Sequence, residues 1–295
     1  MPINKTLDLA IKKSELGGEY PELVYKSPIT GREYPNYVDN QAWDLFVENV
    51  QSNEHANAYA QYRKSSGDEL GLKKNNVSPP KMACYGSSSR MIYNLSKDID
   101  GFRFEEKLGT TVGGTANMDG YYENAETMFF IEAKCREPYT AKSHKVPYAY
   151  KRLYERINQD GIPDFTIELS DIDQKKMAIE FKLKGKVVEF CDVKQMICHL
   201  LGVATKVLRN PTDKKISFLY LLFDPTKIEI DNAKAKAEIY RIYEKTCREV
   251  LNIPLAKLFR SVLIYLNASK VQADAIVKNF SFTLCNQGNY NNHLK

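Results

Sequence analysis

Asp119, Glu132 and Lys134 are the residues of this chain whose types and spacing could do chemistry. All three lie in one stretch, GTANMDGYYENAETMFFIEAKCR, from Gly114 to Arg136. Two carboxylates held side by side repel each other unless a hard divalent cation, bound through oxygen, sits between them. A lysine beside that pair adds positive charge and hydrogen-bond donors for an anionic substrate. Glu132-Ala133-Lys134 is useful only on a strand, where residues i and i+2 project from one face about 6.5 Å apart. Alone the tripeptide carries little, because both residue types are common; its weight comes from its surroundings.

Those surroundings read as a β-hairpin. Thr127 to Cys135 is rich in aromatic and apolar residues, as a partly buried strand requires. Alternation puts Phe129, Ile131, Ala133 and Cys135 on one apolar face, while Met128, Phe130, Glu132 and Lys134 share the other. Ala116 to Tyr122 is the expected partner strand, and Glu123 to Glu126 the turn. A pivot between Ala125 and Glu126 sets Asp119 directly opposite Glu132, with Cβ atoms about 5 Å apart. The competing reading is a surface hairpin with a cross-strand Glu–Lys ladder; two acids facing each other argue against it.

The elements that must hold this hairpin follow from periodicity. Residues 1 to about 40 carry turn signals (Gly17-Gly18, Ser27-Pro28, Thr30-Gly31, Tyr34-Pro35) and predict an irregular arm wrapping the core. Trp43, Phe46, Val47 and Val50 predict a helix over Asp39 to Arg63. Ser65 to Pro80 reads as a polar linker. Ser87 to Ile99 is the next helix, with Ser87, Ser88 or Ser89 as its cap, and Phe102 to Thr111 a strand. Ala178 to Phe190 fits a hairpin turning at Lys184-Gly185, with Ile179, Phe181 and Leu183 on one face. Asp192 to Leu208 has the spacing of a core-facing helix. Ile216 to Phe223, ISFLYLLF, is a continuous apolar run suited to a buried central strand. Strand, helix, strand from Phe129 to Phe223 therefore predicts a crossover into a parallel neighbour. Helices are predicted over Asn232 to Leu251 and Pro254 to Leu266, a further helix or strand over Val271 to Phe282, and a frayed tail from Asn286.

Composition narrows the setting. The 295 residues are 43% hydrophobic and 27% charged, with a net charge of +5: a globular profile, mildly basic and compatible with nucleic acid without being diagnostic. The six cysteines form no CxxC pair, which argues for reduced thiols and against a disulfide frame or zinc site. Four scattered histidines argue against a His-rich metal centre. Neither a signal peptide nor an apolar run of membrane-spanning length is present, so a cytoplasmic protein without a membrane partner is expected. From Arg136 to Arg156, six basic residues (Arg136, Lys142, Lys145, Lys151, Arg152, Arg156) meet two acidic ones, with Tyr139, Tyr148, Tyr150 and Tyr154 interleaved. Such a segment can neutralise phosphates and stack on bases. It can equally be a solvated helix with its tyrosines turned to the core.

Helix, three antiparallel strands, helix, strand, with Asp119 on one strand and Glu132-Ala133-Lys134 on the next, resembles the core of the PD-(D/E)xK nuclease superfamily. Ser87-Ser88-Ser89, Met118-Asp119-Gly120-Tyr121 and Gln195 are similar to a bacterial group of restriction-endonuclease-like proteins within it. The resemblance covers roughly residues 85 to 225. It implies an α/β fold: a restriction-endonuclease-like core, with a mixed central sheet flanked by helices and helical N- and C-terminal additions. The implied division is an N-terminal arm and helix over 1–84, a core over 85–225 with an insertion at about 136–190, and a helical region over 226–295 packed on the core.

The implied activity is Mg²⁺-dependent hydrolysis of DNA phosphodiester bonds, of restriction type, with Mn²⁺ able to substitute and a homodimer allowed. The alternative is a non-catalytic nucleic-acid-binding module on the same fold. Asp119, Glu132 and the carbonyl of Ala133 would hold the metal. Lys134 would orient or deprotonate a water, or stabilise the charge developing on the phosphate; Gln195 would complete the catalytic set. Arg136, Lys142, Lys145, Lys151 and Arg152 would contact DNA. The superfamily often adds a glutamate from the first helix, and Ser87 to Ile99 has none, leaving Glu105 or Glu106 as substitutes. Gln195 has a rival role in a capping box with Asp192. His199, one turn on, stands where some members have tyrosine; its rival reading is a satisfied, partly buried histidine.

Overall fold

The computed structural model describes residues 3–17, 22–53, 57–65, 67–71, 78–140, 144–189, 192–223, 233–253, 255 and 260–266. The first element is a helix, α1 (Ile3–Leu16), where an irregular arm is predicted. The cause of this correction lies in its inward face, which buries Leu7, Asp8, Ile11 and Lys12. Two charges interrupt the apolar period that would mark a helix. Both are matched inside the protein. Asp8 accepts from Asn36 Nδ2 at 2.9 Å and Arg136 Nη1 at 3.1 Å, and Lys12 donates to the carbonyls of Leu23 and Pro35. A short antiparallel pair, β1 (Tyr25–Lys26) and β2 (Glu33–Tyr34), follows. The single helix predicted over Asp39 to Arg63 is in fact two, α2 (Asn40–Ser52) and α3 (Ala58–Lys64). Asn53 ends the first in extended backbone, and Asn57 precedes the second at φ 45°, conformations asparagine favours or tolerates at helix ends.

Next comes α4 (Ser88–Ser96), capped by Ser87, whose hydroxyl accepts from Arg90 N. The meander β3 (Arg103–Gly109), β4 (Thr115–Glu123) and β5 (Thr127–Lys134) follows as expected. The segment after β5 builds a second sheet from β6 (His144–Pro147), then α5 (Lys151–Gln159), then β7 (Phe165–Asp171), β8 (Lys176–Leu183) and β9 (Lys186–Val187). Its predicted turn is present: Lys184 and Gly185 both have positive φ, and Leu183 pairs with Lys186. The chain then runs through α6 (Val193–Arg209), β10 (Lys215–Phe223), α7 (Ala233–Val250) and β11 (Arg260–Leu266). A helix is predicted over Pro254 to Leu266, yet Arg260–Leu266 is a strand. Its sequence, RSVLIYL, is a β-branched and aromatic run like that of β10, which suits a parallel sheet better than an amphipathic helix. The elements predicted after Val271 lie outside the described residues.

The main sheet has the order β11-β10-β5-β4-β3. Its first three strands in sequence are antiparallel neighbours, β10 runs parallel to β5, and β11 parallel to β10. The β5–α6–β10 unit is the predicted crossover. Helices pack on both faces, so the chain is an α/β protein. On one face Phe129, Ile131 and Ala133 meet Leu7, Trp43 and Ile92. On the other Phe130 and Phe218 meet Met196, Ile197 and Leu200 of α6, together with Phe165 and Phe181 of the second sheet. The alternation read along β5 is thus the one observed. Close approach of α6 depends on Gly202, where a Cβ would lie 2.8 Å from the Ala116 Cβ; a larger residue would lift the helix that carries part of the site. Among the described residues no helix is long and apolar enough to cross a membrane.

Candidate active site

The hairpin adopts the predicted register. Glu123 pairs with Met128, Tyr122 with Phe129, Tyr121 with Phe130 and Gly120 with Ile131, and Asn124 Oδ1 closes the turn by accepting from the N–H groups of Glu126 and Thr127. One step further, Asp119 stands level with Glu132, but there the ladder stops. Asp119 Oδ2 instead accepts from Ala133 N at 2.7 Å, so a side chain takes over a donor that β4's backbone would otherwise satisfy. The β3–β4 ladder is interrupted at the same level: Phe104 pairs with Gly120 and Glu106 with Met118, while Glu105, between them, has φ 54°. Both strands change face here. Phe104 packs with Phe129 on one side of the sheet, whereas Leu108, an even number of residues on, packs with Phe130 on the other. In β4, Tyr121 and Met118 share one side although they are three residues apart. Gly120 is required by the same crowding, because a Cβ there would fall 2.4 Å from the Phe102 ring.

This break opens a cavity of about 350 Å³ lined by Glu105, Asp119, Glu132, Lys134 and Gln195, with Ser87, Ser88 and Ser89 at the start of α4 on its wall. Glu132 and Lys134 are 1% and 4% exposed and form an ion pair through Glu132 Oε1. Lys134 Nζ also donates to Gln195 Oε1 at 2.9 Å. On the far side of Glu132, Oε2 lies 3.2 Å from His199 Nδ1. That separation is within hydrogen-bond distance but off its alignment, and neither atom has a hydrogen-bond partner among the described residues.

Acid dominates the electrostatics. Burial, followed by the neighbouring Glu132, pushes Asp119 well above the usual carboxylate range. Burial lifts Glu105 to about 8, aided by Asp119, Glu69 and Glu132. It also lifts Glu132 to about 7 against the pull of Lys134. Burial acts to lower Lys134, but Glu132, Asp119 and Glu137 outweigh it and hold the ammonium above its ordinary value. His199 is lowered to about 3 by burial and by Lys134, and is therefore neutral.

The structure gathers Asp119, Glu132, Ala133, Lys134, Gln195 and His199, residues up to 80 positions apart in sequence, at this one place. Asp192 caps α6 by accepting from Gln195 N at 3.1 Å, while the Gln195 side chain turns to Lys134. Glu105 lines the cavity. Glu106 does not: it pairs with Lys206 of α6 at 3.0 Å. Arg136 reaches the cavity wall while paired with Asp8 at 3.1 Å. Lys145 and Arg152 are exposed, and neither they nor Lys151 line this cavity; Lys142 lies outside the described residues. Tyr139, Tyr150 and Tyr154 are buried, in line with tyrosines turned to the core.

Two acidic cavity residues escape a reading of the sequence. Glu69, paired with Lys81 at 3.0 Å, sits in the predicted linker, where only the apolar Leu70 beside it hints at burial. Glu137 accepts from Ser88 Oγ at 3.2 Å and from Cys135 N at 2.7 Å, a tertiary contact that no local pattern encodes. Among the described residues, no three His, Cys, Asp or Glu side chains are gathered as a metal cage. Comparison of the chain with protein-family models, with curated proteins and with solved structures gave no match.

Proposed function

We propose that this chain is a Mg²⁺-dependent nuclease that hydrolyses DNA phosphodiester bonds, of restriction-endonuclease type, with Mn²⁺ able to replace Mg²⁺. The observation that carries this reading is the convergence of Asp119, Glu132 and Lys134 where β4 and β5 part, inside one cavity. Order and direction of the strands around it support the same reading: three antiparallel strands, then a helix into a parallel neighbour. The donor chemistry fits a hard divalent cation, since Asp119 and Glu132 are neighbouring carboxylates, both raised above the usual range. Asp119, Glu132 and the main-chain carbonyl of Ala133 would hold it. When bound, Mg²⁺ supplies Lewis acidity to a scissile phosphate and acidifies a bound water.

The remaining work belongs to the chain. Lys134 is held protonated by its acidic neighbours, so in this arrangement it donates hydrogen bonds and positive charge to the phosphate or orients the water, and does not take a proton. Gln195 anchors the ammonium from the opposite side. Burial of Glu132 and Lys134 keeps bulk water from the pair and strengthens each of these interactions.

The test is cleavage of circular and linear DNA with and without Mg²⁺ by the wild type and by Lys134→Ala. Glu132, already lifted to about 7, can take up a proton when its partner is removed, so the variant is expected to fold. Its cleavage should drop by at least about a hundredfold. Wild-type rates in the folded variant overturn the assignment. Titration calorimetry with Mg²⁺ separates the nuclease from a DNA-binding module on the same fold, for which DNA is bound and the cation is not.

A further inference from the structure

We propose that His199 is a positioning residue for Glu132: its Nδ1 holds Oε2 of the carboxylate, leaving Oε1 as the oxygen for which a cation competes with Lys134. The inference rests on the nuclease reading above and deepens it.

The argument begins with α6. Gln195 and His199 are four residues apart, on one face and one turn of the helix. The first reaches Lys134 Nζ at 2.9 Å and the second comes within 3.2 Å of Glu132 Oε2. One helical turn therefore meets both charged members of the Glu-x-Lys strand. The His199–Glu132 contact is the more demanding, because both residues are almost wholly buried and neither Nδ1 nor Oε2 has a hydrogen-bond partner among the described residues. A buried polar atom left unsatisfied costs about 1–3 kcal/mol. A small rotation of the ring or the carboxylate joins the two atoms and removes the cost for both.

Charge and tautomer are consistent with this. A neutral imidazole has one N–H to give. With that proton on Nδ1, His199 donates to Oε2 and adds no positive charge to repel a cation. A histidine that merely fills space has no reason to aim a ring nitrogen at a buried carboxylate. Lys134 fits the same scheme. It has two acceptors, Glu132 Oε1 and Gln195 Oε1, so on yielding the first it keeps the second. Partners standing behind a ligand in this way typically change metal affinity about 10- to 100-fold when removed.

The experiment compares the full chain with His199→Leu, which keeps apolar volume, His199→Asn, which returns an amide nitrogen near the Nδ1 position, and His199→Gln, whose amide reaches toward the Nε2 position instead. Mn²⁺ and Mg²⁺ binding is measured by titration calorimetry, alongside thermal melting and the Mg²⁺ concentration for half-maximal DNA cleavage. The expected result is cation binding weakened at least about tenfold in His199→Leu, recovered to within about threefold in His199→Asn, and not recovered in His199→Gln. The Mg²⁺ requirement for cleavage should move in step. If His199→Leu does not fold, tighter cation binding by Asn than by Gln carries the inference. Equal binding by wild type and Leu, or Asn no better than Gln, overturns it. A wild-type chain that binds neither cation overturns the nuclease reading itself, an outcome distinct from a loss confined to the His199 variants.

Discussion

Two clusters of buried charge lie side by side at the end of β5, and they are built differently. One is Glu132 and Lys134 in the cavity. The other is Arg136 with Asp8 beneath α1, where Asp8 is wholly buried and accepts from both Arg136 and Asn36. Under α1 one acid meets one cation and one amide donor, the arrangement of a structural ion pair. Among the described residues the cavity wall carries five acids, Glu69, Glu105, Asp119, Glu132 and Glu137, against three cations, Lys81, Lys134 and Arg136. Of those cations, Lys81 is engaged by Glu69 and Arg136 by Asp8. The cluster under α1 is close to balanced and holds the N-terminal helix down; the cavity has an acid surplus that a divalent cation would relieve. Breaking the balanced cluster should therefore harm stability, whereas relieving the crowded one should harm only activity.

Asp8→Ala gives the largest expected effect on stability. Removing one partner of a buried pair costs about 3 kcal/mol, the low end of the usual range because Arg136 is partly exposed and can rehydrate. For a chain of this size that is a fall in Tm of roughly 6–12 °C, read by circular dichroism, with cleavage per folded molecule retained. A melt unchanged within about 1 °C would show that Asp8 is not holding α1, and would collapse the contrast with the cavity.

Asp119→Asn should move the other way. Removing a carboxylate from beside Glu132 relieves like-charge repulsion, while the amide oxygen can still accept from Ala133 N. Metal-free Tm at pH 8 is expected to rise by about 2–4 °C while cleavage is lost, the exchange of stability for function typical of a strained site. A variant that melts lower, and still cleaves, would mean the acids are not in conflict.

The sign of the pH dependence follows from the same crowding. Glu105 and Glu132 are raised in the folded state, to about 8 and about 7, while in the unfolded chain they titrate near the ordinary glutamate value of about 4.3. Between those limits the folded state binds more protons, so stability is fully present below about pH 4 and is lost as pH rises through 7 and 8. Metal-free Tm should therefore decline from pH 5 to pH 8, and added Mg²⁺ should flatten the decline. A Tm that climbs over this range in the absence of metal contradicts the burial of these carboxylates.

Much of this site is legible in the sequence, for identifiable reasons. Turn chemistry at Glu123 to Glu126 and strict alternation along β5 fix the hairpin register, and register alone brings Asp119 level with Glu132. The unbroken apolar run of β10 and the helical period of α6 yield the crossover that delivers Gln195 and His199. Alternation fails where the strands change face, because a positive φ at Glu105 is a tertiary outcome that no side-chain pattern announces. It fails again at α1, whose buried stripe contains Asp8 and Lys12, each satisfied by partners outside the helix. Periodicity fails for β11, a short apolar run without clear period, where only its β-branched and aromatic composition favours a strand. Glu69 and Glu137 were illegible because each acquires its place from a contact distant in sequence or from an irregular turn.

The narrowest form of the comparison is a single peptide bond wide. Glu105 and Glu106 are adjacent, and either could replace the acid missing from α4. The face change divides them: Glu105 enters the cavity, while Glu106 goes to the opposite side, pairing with Lys206 at 3.0 Å and Arg103 at 3.3 Å. Lys206 and Arg103 keep substantial contact with water, so these pairs are worth less than about 1 kcal/mol. Glu106→Gln should accordingly lower Tm by no more than about 2–4 °C and leave both cleavage and its Mg²⁺ requirement unchanged. Glu105→Gln should instead reduce the fall of metal-free Tm between pH 5 and pH 8, because it removes a carboxylate that must otherwise stay protonated. If the two substitutions exchange these effects, the backbone at Glu105 does not turn the strand over as described, and Glu106 is the acid that belongs to the site.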